Sequence, residues 1–143
     1  MFMLETYDLN RFIKAQDVLY NIALSELING KKRSHWMWFI FPQLQILGRS
    51  ANAKYYGIKD LEEAKVYIKN DVLGKRYIEC CKALIKLEKT DIVKIMGDID
   101  ALKLKSSLTL FKEADLENSY LYIALLNKYY DGKVCELTIK NLN

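Results

Sequence analysis

From Leu9 onward, apolar side chains return at steps of three and four, through Leu9, Phe12, Ile13, Leu19, Tyr20, Ala23 and Leu27, with Gln16 as a polar member of the same stripe. That is the period of one helix face, and Gly30 supplies a natural stop. Ser34 is placed to cap a short second helix through His35, Trp36, Met37 and Trp38. Pro42, the only proline, then marks a boundary, because it disfavours helical geometry at Phe41. A loop around Gly48 leads to a short helix over 50–56 that ends at Gly57. Asp60, followed by Leu61, Glu62 and Glu63, reads as a cap with acids in the first turn, where a helix dipole favours them. Leu73, Tyr77, Cys80, Cys81, Leu84 and Leu87 again have helical spacing, and Asp91 to Met96 forms a short segment closed by Gly97.

The stretch "DALKLKSSLTLF" over 100–111 fits two periods. Leu102, Leu104, Leu108 and Leu110 alternate like a strand, while Leu104, Leu108 and Phe111 share one helical stripe. Helix is the expectation, with Asp98 or Asp100 as its cap, because the neighbouring segments are helical. Ser119 to Tyr130 completes the pattern, ending at Asp131-Gly132, with a last short turn from Val134. No internal repeat or linker divides the chain. The pattern predicts an all-α, single compact irregular multi-helix domain over residues 1–143.

Composition is compatible with that reading, since 143 residues at 51% hydrophobic and 28% charged suffice for one core. Apolar runs such as Trp36 to Pro42 fall short of a membrane span, and Met1 to Glu5 lacks the features of a signal peptide, so a soluble cytoplasmic protein is expected. Cys80, Cys81 and Cys135 are odd in number and form no CxxC pair. They read as reduced core thiols, with no disulfide framework, metal or cofactor implied.

Charge changes the picture more, because it is segregated. No carboxylate occurs between Glu26 and Asp60, a window that holds Lys31, Lys32, Arg33, Arg49, Lys54 and Lys59. A second acid-free window, Ala101 to Lys112, carries Lys103, Lys105 and Lys112. Such segregation raises the local concentration of anions. In the first window, Arg33, His35 and the Lys31-Lys32 pair are candidates to grip phosphate or carboxylate oxygens, with Trp36 or Trp38 stacking on a flat ring. The competing reading is structural: cations just past a helix end favour its dipole, and tryptophans at helical spacing are usually core. In the second window, Lys103, Ser106, Ser107 and Thr109 offer an ammonium and hydroxyls on one helix surface, although such hydroxyls also bond back to the preceding turn. Gly48-Arg49-Ser50 adds a glycine loop that opens a helix, where backbone amides can meet anions. Gln16 either bonds the backbone within the core or reaches a ligand.

Signature loops for nucleotide hydrolysis, dinucleotide binding and serine hydrolysis are missing from the sequence. The runs "DLNRFIKAQ" (8–16), "GKKRSHWMWFIFPQLQILGRSANAKYYGI" (30–58), "VLGKRYIEC" (72–80) and "ALKLKSSLTLF" (101–111) together resemble the DUF1810 family, uncharacterised bacterial proteins sometimes labelled calpastatin. The resemblance implies an all-helical single domain and no established activity. The residues themselves point to a phosphorylated, ring-containing small molecule, nucleotide-like or ADP-ribose-like, held by Arg33, His35, Arg49, Lys103, Ser106 and Ser107 with Trp36 or Trp38 stacking. A single site of this kind requires the two acid-free windows to meet in space. One alternative is an enzyme on the same ligand class with His35 as general acid or base and Asp98 or Asp100 beside it. Another is a nucleic-acid or protein interaction module that uses the basic surface.

Overall fold

A computed structural model describes residues 7–142 as a set of helices joined by short loops, with no β-sheet among the described residues. The N-terminal segment read above for a leader lies outside them. Helix α1 (Asn10–Asn29) buries Phe12, Gln16, Tyr20, Ala23 and Leu27 along one face. It ends where expected, with Gly30 at φ 71° and the amides of Gly30 and Lys31 bonded back to Leu27 O and Glu26 O. The short α2 (Met37–Ile40) begins later than the spacing predicts: Ser34 does not cap it, and Trp36 occupies the N-cap position with no side-chain cap bond. The reason is that Glu26 accepts from the Arg33 and Ser34 amides and from the Ser34 hydroxyl, at 2.6 Å, which holds Ser34 two residues ahead of the N-cap position.

After Pro42 the chain makes a 3₁₀ turn, Gln45–Leu47, steadied by one isolated parallel bridge between Leu44 and Ile58. Ser50 then caps α3 (Ala51–Tyr55), accepting from Ala53 N at 3.1 Å. Asp60 caps α4 (Leu61–Lys69) through Glu63 N at 2.8 Å, and Asn70 caps α5 (Asp71–Lys86) through the amides of Val72 and Leu73. Asp91 caps α6 (Ile92–Met96), which Gly97 closes.

The ambiguous leucine-rich stretch is helical, within α7 (Asp98–Ala114). Neither Asp98 nor Asp100 caps it. Gly97, at φ 88°, holds the N-cap position, and both acids lie in the first turn. The second half of the strand-like alternation, Leu108 and Leu110, has a physical origin, since Ser106 to Phe111 are buried without a break and a helix turn buried all round loses its single stripe; Leu102 stays 66% exposed. Around α7 pack α4, α6, α8 (Ser119–Tyr130) and α9 (Glu136–Leu142). The final turn expected from Val134 is thus a helix of seven residues.

Aromatic rings fill the centre. Phe111 on α7 lies 4.4 Å from Tyr77 and 5.3 Å from Tyr67, ring centre to ring centre, and Tyr77 meets Phe41 at 5.5 Å. Gln16 serves this core: its Nε2 donates to Phe39 O at 2.7 Å and to Tyr67 Oη at 3.0 Å, joining α1, α2 and α4. No helix among the described residues is long and apolar enough to cross a membrane.

Gly74 permits the close passage of α5 over the end of α4, because a β-carbon there would stand 2.1 Å from Ile68 O. Alanine normally stabilises a helix interior over glycine by about 1 kcal/mol. Here the sign reverses. Gly74→Ala is expected to lower stability in denaturant unfolding by roughly 1–3 kcal/mol, the usual cost of overpacking.

Candidate functional site

The basic loop after α1 is organised by a carboxylate that precedes it. Glu26 accepts from the amides of Arg33 (2.9 Å) and Ser34 (3.0 Å), from Ser34 Oγ (2.6 Å) and from Trp36 Nε1 (2.9 Å). Burial works against its ionisation, but the Ser34 hydroxyl, the two amides and the indole outweigh it and hold the carboxyl at about 2. Lys32 is equally committed. Its amide donates to Ile95 O at 2.8 Å, and its Nζ donates to Ser34 O, pairs with Asp100 at 2.8 Å and lies 4.8 Å from the Trp36 ring centre. Trp36 is fully buried and offers no stacking face. Lys31, Arg33 and His35 are exposed on the outside of this loop.

The two acid-free windows do meet, at a different place. Lys103 on α7 stands over the half-buried Trp38 of α2, with Nζ 5.7 Å from the ring centre. Beside this contact is a groove of about 510 Å³ between the 3₁₀ turn, the start of α3, the first turns of α7 and the start of α9. Gln43, Arg49, Ser50, Lys103 and Ser106 contribute its polar groups, and Leu47, Ile99, Leu102 and Leu137 its apolar walls. No carboxylate lines it among the described residues. A narrow cleft of about 10 Å³ between Trp38 and Tyr56 adjoins it, sharing Gln43, Ala53 and Lys103.

Comparison with known proteins places this architecture. A family described as proteins of unknown function, DUF1810, matches residues 6–142. The chain belongs to the DUF1810 family. It is also similar to the conserved hypothetical protein Rv1873 from Mycobacterium tuberculosis, seen in a crystal structure, at 45% identity over 96% of this chain and 98% of that one, with a TM-score of 0.93. No curated protein matches it.

In this DUF1810 fold, the eight sequence candidates divide into three groups. Arg49, Lys103 and Ser106 line the groove, and Trp38 flanks it through Lys103. Arg33 and His35 lie on the exposed loop and do not line the groove. Trp36 and Ser107 are wholly buried, the Ser107 hydroxyl being 2.7 Å from Tyr77 Oη. Thr109 bonds back to Lys105 O at 2.8 Å, and Ser106 to Leu102 O at 3.2 Å, as hydroxyls inside helices commonly do. Asp98 and Asp100 do not line the groove, and Asp100 is engaged by Lys32.

Two groove residues with chemistry of their own were missed, Gln43 and Cys135. Cys80 and Cys81 are core thiols, and burial pushes the Cys80 thiol up to about 12. Cys135 is not fully buried and lines the groove directly before α9. The available signal was its position next to Glu136, an acid that opens a helix. A cysteine at such a boundary belongs to no apolar stripe.

The Glu26 cluster sets a pH dependence. A carboxyl depressed from 4.5 to about 2 contributes stability that is complete above 4.5 and is lost as pH falls towards 2. Glu26→Gln is expected to cost roughly 1–3 kcal/mol at neutral pH, the range for hydrogen bonds to a charged group. Urea unfolding followed from pH 6 to pH 2.5 should show a shallower decline for the variant than for the native chain.

Proposed function

We propose that this DUF1810 domain binds a small phosphorylated, ring-containing molecule, nucleotide-like or ADP-ribose-like, in the groove between Arg49 and Lys103. The observation that carries this reading is the pairing of two cations from segments fifty-four positions apart on a groove whose lining contains no carboxylate among the described residues. Its volume, about 510 Å³, falls within the range of small-molecule sites. Arg49 offers a planar fork for phosphate oxygens and Lys103 a point charge, with the Ser50 and Ser106 hydroxyls between apolar walls. The cleft beside Trp38 is too narrow to admit a ring, so stacking would use the outer face of the indole. Binding is favoured over catalysis, because His35 lies away from the groove lining. Three cysteines without a disulfide suit a reducing compartment, which supports a cytoplasmic setting.

Calorimetry with ADP as the probe tests the reading. Arg49→Ala and Lys103→Ala should each weaken binding by roughly 1.5–3 kcal/mol, while the melting temperature without ADP stays unchanged. Because both cations would hold one anion, the double variant should depart from additivity by about 0.5 kcal/mol or more. Binding that survives both substitutions would overturn the site. Steep loss of affinity with salt, together with tight binding of RNA or DNA, would favour the nucleic-acid module instead.

Trp38 should report the event. ADP binding is expected to change the intrinsic fluorescence of the native chain, and Trp38→Phe should remove that change because Trp36 is sealed in the core. An unaltered signal in Trp38→Phe would exclude stacking on that ring.

A further inference from the structure

Cys135 lies where the groove just described meets a second hollow of about 710 Å³. Leu102, Ser106, Cys135 and Leu137 line both. The charged groups facing this junction are Arg49 and Lys103 on one side, and Lys105, Lys133 and Glu136 on the other. Cations therefore outnumber carboxylates around the sulfur. The residue is held firmly: its amide donates to Thr109 Oγ1 at 2.9 Å, and its carbonyl accepts from Ile139 N at 3.2 Å in the first turn of α9.

Two hydroxyls serve the sulfur. Ser106 Oγ lies 3.3 Å from it, its single proton shared between the sulfur and Leu102 O. The Thr138 hydroxyl, wholly buried one turn into α9, also lies against it, yet it completes no hydrogen bond of ordinary geometry with any described residue. A buried hydroxyl left without an acceptor is unfavourable. A neutral thiol accepts weakly, whereas a thiolate would give Thr138 the partner it lacks. Burial would raise the thiol's pKa, but the Ser106 hydroxyl and the amides of Thr138 and Leu137, with the Thr138 hydroxyl turned toward the sulfur without closing a bond to it, bring the thiol below its ordinary value of 9.0. Cys80 and Cys81, by contrast, are sealed in the core and pushed upward.

We propose that Cys135 is a thiol–disulfide exchange site for a small anionic disulfide. The Cys135 thiolate attacks one sulfur of the disulfide, a protein–ligand S–S bond forms as the original S–S bond breaks, and the other half leaves as a thiolate that carries the electron pair. No net oxidant is consumed beyond the disulfide itself, and the leaving thiolate takes a proton from solvent according to its own pKa. The flanking cations select for anionic disulfides. This inference uses the same groove as the proposed binding function but does not depend on the identity of that ligand, because the reaction is read without ADP.

The test compares 5,5′-dithiobis(2-nitrobenzoate), an anionic disulfide, with cystamine, a cationic one, each reacted with the native chain and with 2-mercaptoethanol as an uncharged free-thiol reference. One thiol should react rapidly, peptide mass spectrometry should place the adduct on Cys135, and Cys135→Ser should lose the fast phase while keeping its melting temperature. After division by the free-thiol rates, the anionic reagent should be favoured by about tenfold or more, and Lys103→Ala and Lys105→Ala should reduce that preference. Ser106→Ala and Thr138→Val should each move the midpoint of the rate–pH profile upward, a change that loss of packing alone would not produce. The inference is overturned if Cys135→Ser keeps the fast phase, if the normalised preference is absent, or if both hydroxyl variants share the native pH profile. Exchange without ADP binding would leave this site standing and remove the proposed ligand; ADP binding without exchange would do the reverse.

Discussion

The architecture depends on the burial, from all sides, of the second half of α7. Six consecutive residues, Ser106 to Phe111, are shut away from water, so their polar groups must be satisfied by neighbouring elements. Ser107 meets Tyr77 of α5, Thr109 takes Lys105 O and receives the Cys135 amide, and Ser106 reaches both Leu102 O and the Cys135 sulfur. Leaving one such group unpaired costs about 1–3 kcal/mol, which is enough to fix the approach of α5 and α9. The groove follows from the same constraint. Lys103 reaches the surface where the surrounding helices leave a gap, the buried Ser106 forms part of its floor, and the gap is bounded by Arg49 and Cys135.

Acids from outside the basic windows hold those windows in place. Glu26 gathers the loop after α1, and Asp100 takes Lys32. Glu63, only 2% exposed, pairs with Arg11 at 3.0 Å and accepts from Lys59 N at 2.7 Å. Arg11 also donates to the carbonyls of Tyr55 and Gly57, so the chain that leaves α3 is clamped between α1 and α4. A buried pair of this kind is strongly destabilised when one partner is removed, because the other charge stays behind in a dry site. With these acids engaged elsewhere, the lining of the groove is left basic.

Much of the helical framework was legible because its signals are local. The cap at Asp60, the helix starts at Ser50 and Asp91, the stop at Gly30 and the stripe from Phe12 to Leu27 each act within a turn or two of their own position. Two local readings failed because the helices begin elsewhere: Glu26 holds Ser34 two residues ahead of the α2 N-cap position, and Gly97 takes the N-cap of α7, which leaves Asp98 and Asp100 in its first turn. The strand-like leucines misled in the opposite way, since periodicity loses its meaning over 106–111, where every face of the helix is buried, while Leu102 before it is exposed.

The sequence by itself determined that the chain is helical, roughly where its helices lie, and that cations are concentrated in two windows free of carboxylates. Only the tertiary structure decided which of those cations remain available. Lys32 is consumed by Asp100 and Trp36, while Lys103 stands beside Trp38 at the edge of a groove with Arg49. It likewise sealed Trp36 and Ser107, left Arg33 and His35 outside, and brought Cys135 to the groove from the far end of the chain. The physical reason is range: propensity and capping act over a few residues, whereas burial and charge pairing depend on neighbours tens of positions away, whose arrival the packing of α7 controls.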